Sequence, residues 1–325
     1  MGHRYDVGHR GFDSVACSDP LRSLTLHLVD MASLMIPDHL QHVIQADRPL
    51  APLVWLGIGG PARFFAEPVE MEQLQQLAQW AHENSLTVRI LGSGSNLLVR
   101  ESGFDGLVIS LAAAATSGLT LQDNQLIAGA GGQLSHAIVK AVGGGLGGLE
   151  HLVGIPGSIG AAVVGNVASG GRDIGAVVDS VRILEDDGSL KNLGKDDISF
   201  THQKSSLAGL RVVEATFQLE PTDAGQMTKR LQKLWIARNA SIPAEMERIA
   251  APFVDPDAMS ARELISSVGL SGIREGEVSL DPAQPQYLLA HPGATSEHCL
   301  KLIERVREQV LLQTGIDLQL NLQIW

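Results

Sequence analysis

Two glycine-rich loops constrain this chain more than any other feature of its sequence. The first follows a strand-like run at 87–91. A short Gly/Ser run between strands points several backbone N–H groups into one concavity, which is how proteins hold a pyrophosphate. Taken alone, such a run also suits a tight turn in a sheet. We expect a phosphate-binding loop composed of Gly92, Ser93, Gly94, Ser95, Asn96 and Leu97.

The second loop combines glycines with a proline turn and opens a run of small residues at 160–162. Small residues let a planar ligand lie against the backbone, and a helix N-terminus would favour a phosphate there. Gly59 and Gly60, ahead of Pro61, form a third segment suited to close approach of a ligand. We expect the second loop to face the first across one cleft, and it contains Gly154, Ile155, Pro156, Gly157, Ser158 and Gly160.

The order of predicted helices and strands indicates an α+β fold rather than a doubly wound parallel sheet. An amphipathic helix at 71–83 precedes strands near 87–91 and 106–111, and two more strands flank a turn at 186–188. One formal dinucleotide fingerprint, Gly143-x-Gly145-x-x-Gly148, follows a helical pattern instead of a strand. That motif must follow a strand and open a helix. We therefore interpret these glycines as a helix C-terminal cap followed by a turn.

Charge and cysteine content exclude several classes of partner. Acidic residues outnumber basic ones, 36 against 24, for a net charge of −12, whereas nucleic acids and anionic membranes bind clustered basic surfaces. Backbone amides can still hold a small-molecule nucleotide ligand. Cys17 and Cys299 lack the spacing of a metal site or a disulfide framework, and no apolar run reaches the roughly 20 residues that span a bilayer. We expect a cytoplasmic monomer with no metal, no nucleic-acid partner and no membrane partner.

The chain divides into three predicted segments. Residues 1–36 are polar, glycine-punctuated and without periodicity, so we predict a disordered or artefactual leader, with Met31 or Met35 as candidate biological starts. Residues 37–222 carry both glycine loops and form a two-lobed ligand-binding domain. Residues 223–325 begin with a helical pattern and form a smaller α+β domain.

In order and spacing, the two glycine loops and the Gly59-Gly60 segment resemble those of the UDP-N-acetylenolpyruvoylglucosamine reductase (UDP-N-acetylmuramate dehydrogenase) family of peptidoglycan biosynthesis. Weaker matches lie at 261–272 and 293–295. The resemblance implies a two-lobed FAD-binding domain of the vanillyl-alcohol-oxidase type plus a smaller C-terminal α+β substrate-type domain, with FAD held by the three glycine segments. In the family, NADPH reduces the flavin, which passes hydride to the enolpyruvyl double bond of the substrate. An arginine and a glutamate stabilise the enol-type intermediate, and a serine donates the final proton.

Three positions depart from the family pattern where the family carries its catalytic side chains. Gln203 stands where the family has its arginine, Ala251 where it has its serine, and Asn321 where it has its glutamate. Alanine has no proton to give, and losing a general acid typically costs about 10² to 10⁴ in rate. Glutamine lacks the guanidinium charge, which at about 4 Å is worth roughly 4 kcal/mol at an effective dielectric constant of 20. No catalytic residue is therefore assigned.

These departures leave three hypotheses open. The leading one is an FAD-binding flavoprotein in which the family reductase activity is lost or strongly reduced. The second is an active NADPH-dependent reductase in which other residues substitute, with His202 and Lys204 beside Gln203 as candidates. The third is a structural homologue that no longer binds FAD. We expect His151, close to the second loop, to be packed or exposed rather than catalytic.

Overall fold

The computed structural model describes residues 35–113, 116–240, 242–243, 248–256 and 259–325. The predicted leader lies almost wholly outside these residues, and its role stays a prediction. From Asp38 to Trp325 the chain forms one compact unit, so the predicted boundary between 222 and 223 also stays a prediction. No helix within the described residues is both long and apolar enough to cross a bilayer.

The first part of the chain forms a mixed sheet covered by one amphipathic helix. In chain order its elements are β1 (Ile44–Pro49), β2 (Pro61–Ala66), α1 (Met71–Glu83), β3 (Val88–Leu91), β4 (Leu97–Leu98) and β5 (Phe104–Ser110). The sheet order is β1-β2-β5-β3, with β1 antiparallel to β2 and with β5 parallel to both β2 and β3. Helix α1 confirms the prediction at 71–83 and buries Leu74, Leu77 and Ala78, because residues spaced by 3 or 4 share one helical face. Its Trp80 packs edge-on against Phe64, with ring centroids 5.2 Å apart.

The middle of the chain forms an antiparallel sheet of five strands packed against two helices. In chain order the elements of this part are β6 (Leu119–Gln122), β7 (Gln125–Gly129), α2 (Leu134–Gly143), β8 (Leu146–Gly147), α3 (Ile159–Val164), β9 (Ala168–Ser169), β10 (Arg172–Asp173), β11 (Val178–Leu184), β12 (Leu190–Gly194), β13 (Phe200–Thr201), β14 (Lys204–Ser205), β15 (Arg211–Gln218) and β16 (Glu220–Pro221). The sheet order is β12-β11-β15-β7-β6, and the two helices are α2 and α3. Helix α2 ends at Gly143, and Gly145 has a φ of +73°. The interpretation of this glycine cluster as a helix cap and turn is therefore confirmed.

The last part of the chain forms a small antiparallel sheet and then returns to the first. Its elements are α4 (Ala224–Asn239), β17 (Ile249–Ala250), α5 (Ala261–Ser267), β18 (Arg274–Glu275), β19 (Val278–Leu280), β20 (Leu288–Ala290), α6 (Ser296–Thr314) and β21 (Gln323–Ile324). The sheet order is β17-β20-β19-β18, and β21 pairs in parallel with β4. Leu56, Ile58 and Leu98 belong to the same buried cluster as Leu302 and Ile303 of α6. This shared core fixes the C-terminal elements against the first part of the chain.

Asn166 is a fully buried polar residue that ties the end of α3 to the hairpin formed by β13 and β14. Its side-chain oxygen accepts a hydrogen bond from Gly175 N at 3.0 Å, and its side-chain nitrogen donates one to Thr201 O at 2.7 Å. Its φ of +44° lies in the left-handed region, which asparagine tolerates better than most residues. Nearby, Ser205 Oγ donates to Val164 O at 2.6 Å. The hairpin therefore has a fixed position relative to α3.

Replacing Asn166 with alanine should lower the free energy of unfolding by roughly 2–5 kcal/mol, because two backbone groups would lose their only side-chain partner. Urea denaturation followed by circular dichroism measures this loss. The control is Asn192→Ala on the exposed face of β12, which should change the value by no more than about 0.5 kcal/mol. Equal losses in the two variants would contradict the role assigned to Asn166.

Candidate functional site

The first glycine loop connects β3 to β4 and lies directly against the second. A Cβ added at Gly92 would lie 2.4 Å from Ser158 Oγ. Gly94 has a φ of +65°, and a Cβ there would lie 2.3 Å from the carbonyl oxygen of Leu53. Ser93 Oγ hydrogen-bonds Ser95 Oγ at 3.4 Å within the loop. Glycine is required here by backbone packing, so a bulky residue at Gly94 would displace the loop itself.

The second glycine loop is held in place by backbone hydrogen bonds to the segment that begins α2. Leu134 N donates to Gly157 O at 3.0 Å, and Gly160 N donates to Ala130 O at 2.8 Å. A Cβ added at Gly160 would lie 2.8 Å from the Ala130 Cβ. At Gly157 the nearest atom to an added Cβ is Ser95 Oγ, 3.8 Å away. Gly157 therefore leaves open space between the two loops.

Two neighbouring cavities border these loops, with volumes of about 590 Å³ and about 450 Å³. The larger lies between the second loop, α4 and the C-terminal elements, and the smaller lies beside the first loop, β15 and β21. Their common wall consists of Ser95, Asn96, Ala161, Gly165 and Asn321. The loops therefore border one cleft with two compartments, a shape suited to a ligand with two separated ring systems.

The predicted cofactor-binding residues divide unequally between the compartments. The larger is lined by Ser95, Asn96, Ile155, Pro156 and Gly157. The smaller is lined by Gly92, Ser93, Gly94, Ser95, Asn96, Leu97, Ser158 and Gly160.

Three of the predicted glycines line neither cavity. A Cβ added at Gly154 would lie 3.0 Å from Cδ of Arg238, so this glycine packs under α4. Gly59 and Gly60 pack against 99–103, where a Cβ on Gly60 would lie 2.1 Å from the carbonyl oxygen of Glu101. Their assignment to the cofactor stays a prediction.

Gln203, Ala251 and Asn321 all line the larger cavity. Asn321 N donates to Pro252 O at 2.8 Å, which places position 321 beside position 251. Gln203 lies on the two-residue turn of the β13–β14 hairpin. The three positions therefore lie in one cavity, although they are more than 100 residues apart at the extremes. At these three positions the cavity offers two amides and a methyl group.

The two residues considered as substitutes lie outside the cavity lining. His202 and Lys204 are exposed, and neither lines the larger cavity. The His202 Nε2 atom is 2.9 Å from the Asp255 carbonyl oxygen, within hydrogen-bond distance. His202 therefore connects the hairpin to the C-terminal elements.

His151 lines the larger cavity, and both of its ring nitrogens are buried, which agrees with the packed alternative of the sequence prediction. The preceding residue orients it, because Glu150 is buried and accepts hydrogen bonds from Gly148 N at 2.7 Å and Arg172 Nη1 at 3.2 Å. Glu150 is anchored on one side of the short 3-10 helix 150–152, and His151 faces the cavity. Burial and the Arg172 guanidinium lower the pKa of His151, so its imidazole is neutral at pH 7.

Arg238 and Tyr287 also line the larger cavity, and sequence reasoning did not assign either to the site. Arg238 Nη1 donates to Ser169 Oγ at 3.0 Å. Burial lowers the pKa of Arg238, while Tyr287 and Asp255 raise it. Burial raises the pKa of the Tyr287 phenol, which keeps its proton at neutral pH. The sequence feature that could have indicated Arg238 is its position on the same face of helix α4 as Leu234.

Unpaired polar atoms show that this cavity suits a polar ligand. Within the described part of the chain, buried side-chain atoms without a hydrogen-bond partner include Asn96 Oδ1, both ring nitrogens of His151 and Gln286 Oε1. All three side chains line the larger cavity. A buried polar group left unpaired costs about 1–3 kcal/mol. A flavin ring, with carbonyl and N–H groups on its edge, can pair with such atoms.

Comparison with known proteins agrees with this geometry. Residues 62–194 match the FAD binding domain family, and residues 243–325 match the C-terminal domain of UDP-N-acetylenolpyruvoylglucosamine reductase. The UDP-N-acetylenolpyruvoylglucosamine reductase of Rhodopirellula baltica is 62% identical over 289 residues, covering 89% of this chain and 95% of that protein. The reductase of Gluconobacter oxydans is 36% identical, covering 83% of this chain and 88% of that protein.

A solved structure shows the same similarity. The crystal structure of UDP-N-acetylenolpyruvylglucosamine reductase from Thermus caldophilus matches with a TM-score of 0.73 at 27% identity. The match covers 87% of this chain and 98% of that one. The similarity therefore extends through both the glycine-loop region and the C-terminal elements.

Replacing Ala161 with leucine should weaken flavin binding without unfolding the protein. Ala161 lies in α3 on the wall common to both cavities, so a larger side chain would enter ligand space, while leucine is a good helix former. Overpacking costs about 1–3 kcal/mol, which corresponds to roughly 5-fold to 150-fold weaker binding. The measurement is the ratio of flavin absorbance to protein absorbance after reconstitution with FAD.

The matched control is Ser135→Leu, which adds a side chain of the same size on the exposed face of α2. It should retain the flavin content of the native protein. If Ala161→Leu retained that content as well, the common wall would not be in contact with the cofactor.

Proposed function

The chain belongs to the UDP-N-acetylenolpyruvoylglucosamine reductase family and binds FAD, and we propose that the family reductase activity is lost or strongly reduced in it. The observation that carries this proposal is the set of residues that line the larger cavity. Gln203, Ala251 and Asn321 line one compartment together, so the three departures from the family pattern fall in a single site. The hypothesis of a structural homologue without FAD is set aside, because residues 62–194 match the FAD binding domain family.

The two glycine loops are the part of the chain suited to hold the cofactor. Residues of both loops line the smaller compartment and the common wall, and backbone N–H groups of glycine loops bind phosphates without net positive charge. The unpaired atoms of Asn96 and His151 lie in the larger compartment. When bound, FAD supplies the hydride-transfer chemistry of this family, and NADPH would be its reductant.

The final protonation is the step that Ala251 affects most. A methyl group cannot donate a proton, and removal of a general acid typically costs about 10² to 10⁴ in rate. Tyr287 lines the same compartment, but burial raises its pKa. A phenol whose pKa lies far above the working pH is a poorly matched proton donor. Among the described residues beside position 251, Tyr287 is therefore an inefficient replacement for the serine.

Stabilisation of a developing anion is the step that Gln203 affects most. An amide dipole replaces the full charge of a guanidinium, a difference of roughly 4 kcal/mol for a charge at about 4 Å and an effective dielectric constant of 20. Asn321 likewise replaces a carboxylate with an amide. Because residues of one catalytic unit act together, the separate losses do not add.

A second candidate function is active NADPH-dependent reduction of UDP-N-acetylglucosamine-enolpyruvate in the cytoplasm, as a step of peptidoglycan biosynthesis. Two observations favour it. The relative that is 62% identical bears the name of the reductase. In addition, Arg238 and Tyr287 line the compartment and supply one cation and one hydroxyl group. Turnover measurements separate the two candidates.

The native protein, loaded with FAD and supplied with NADPH, should turn over UDP-N-acetylglucosamine-enolpyruvate negligibly. The combined variant Gln203→Arg, Ala251→Ser, Asn321→Glu should raise kcat/KM above that of any single variant, because partial constellations gain little. The gain expected from restoring the general acid within the complete constellation is about 10² or more. The measurement is substrate-dependent NADPH oxidation.

The matched control is the triple variant without added enolpyruvyl substrate, which reports oxidation of NADPH by oxygen alone. Robust turnover by the native protein would overturn the proposal in favour of the second candidate. It would also direct the search for catalytic groups to Arg238 and Tyr287, which can be tested as Arg238→Gln and Tyr287→Phe.

A further inference from the structure

One end of the larger cavity gathers hydrogen-bond donors around a single cation. His151, Ser169 and Arg238 all line this cavity, and none of them lines the smaller one. The 3-10 helix at 150–152 packs against both β9 and α4, so the three side chains lie at the same end. Together these three residues form the Arg238 subsite.

The Arg238 guanidinium has a charge that no described residue pairs with. Arg238 belongs to none of the ion pairs in the described part of the chain. Its Nη1 donates to Ser169 Oγ at 3.0 Å, and its stem packs on Gly154, where an added Cβ would lie 3.0 Å from its Cδ. Asp255 acts on it through space, but Asp255 Oδ1 accepts from Ala261 N at 2.9 Å. Arg238 is therefore fixed in position and available to an anion.

His151 supplies polar atoms to the same subsite. Both of its ring nitrogens are buried, and no described residue forms a hydrogen bond with either. A neutral imidazole has one donor and one acceptor nitrogen, whereas an imidazolium has two donors. An oxyanion accepts hydrogen bonds and stabilises a neighbouring positive charge, so a bound oxyanion favours the protonated ring.

The charges around His151 make its protonation depend on a ligand. Burial and Arg172 lower the pKa of His151, as does Arg230, while Glu150 and Asp173 raise it. The ring is therefore neutral at pH 7 in the free protein. Both arginines pair with the buried Glu150, at 3.2 Å and 3.8 Å, which compensates part of their charge. Added negative charge beside His151 raises its pKa and brings a proton to the ring.

Charge decides which oxyanion suits the Arg238 subsite. Arg238 and a protonated His151 together supply two positive charges. A carboxylate or a phosphodiester has one negative charge, which Arg238 alone would balance. A phosphate monoester carries a charge of about −1.5 to −2 at pH 7, and arginine binds phosphate oxygens in a bidentate manner. The Ser169 hydroxyl and the Tyr287 phenol, whose pKa burial raises, are further donors.

We propose that the Arg238 subsite binds a terminal phosphate group and that His151 takes up a proton on binding. Each phosphorus of an internal diphosphate has one negative charge, so the proposal does not concern the diphosphate of FAD or of a sugar nucleotide. Two sources present a terminal phosphate, namely the 2′-phosphate of an NADP-type dinucleotide and free inorganic phosphate. The proposal goes beyond the proposed function and holds whether or not reductase activity survives.

The test titrates the FAD-loaded protein by calorimetry at pH 7.5, in two buffers that differ in ionisation enthalpy. The probes are adenosine 2′-monophosphate and inorganic phosphate, with adenosine and dimethyl phosphate as controls. We expect adenosine 2′-monophosphate to bind with uptake of about one proton, and adenosine and dimethyl phosphate to bind at least about tenfold more weakly. Binding of inorganic phosphate as well would identify free phosphate as a source, whereas binding of the nucleotide alone would identify the dinucleotide.

Two variants and a matched control assign the effect to the subsite. His151→Asn should abolish proton uptake and weaken binding of adenosine 2′-monophosphate by roughly tenfold or more, because one hydrogen bond to a charged group is lost. Arg238→Gln should abolish measurable binding, because it removes the cation. His136→Asn makes the same replacement at an exposed position of α2, and it should leave both affinity and proton uptake unchanged.

Three results would overturn the proposal. These are the absence of binding heat for both phosphates, dimethyl phosphate binding as tightly as adenosine 2′-monophosphate, and equal proton uptake in the native protein and His151→Asn. If His151→Asn fails to fold, the proton uptake of the native protein and its discrimination against dimethyl phosphate still decide. Because no substrate is turned over in these titrations, their failure is distinct from failure of the proposed function.

Discussion

The pairing of the last strand with the strand that follows the first glycine loop determines much of this site. Gln323 and Ile324 of β21 pair in parallel with Leu97 and Leu98 of β4. The pairing places Asn321 against the loop, where its carbonyl oxygen accepts from Asn96 Nδ2 at 3.1 Å. Without this strand, the common wall of the two cavities would lack one of its side chains. The position of Asn321 beside the first glycine loop and in the larger cavity therefore depends on the short pairing of β21 with β4.

The larger cavity is built from elements that are far apart in the chain. Its walls come from the glycine loops, the β13–β14 hairpin, α4 and the C-terminal elements. The resemblance to the family implies that Gln203 and Asn321 replace a cation and an anion with amides. Removing both charges avoids an uncompensated buried ion, which removing one would create. A cavity altered in this paired way retains a low cost of desolvation.

Local features of the fold could be predicted because their physical causes are local. The helix at 71–83 was predictable from apolar residues spaced by 3 and 4. The helix end and turn at 143–148 were predictable because the glycine cluster comes directly after a helical pattern. The contribution of Arg238 and Gln286 to the cavity could not be predicted, because it depends on how α4 and the C-terminal sheet pack against the second loop. The place of His151 in the cavity lining could not be predicted either, since the anchor that orients it is the buried Glu150.

The sequence by itself determined the family and the cofactor, because glycine loops and short motifs are read from neighbouring residues, and departures from the family pattern at three positions stay a prediction. The tertiary structure decided that Gln203, Ala251 and Asn321 share one cavity and that four amides line it. It also decided that the backbone of Leu53 leaves no room for a side chain at Gly94. These outcomes depend on contacts between residues far apart in the chain, and such contacts are fixed only when the separate elements pack into one core.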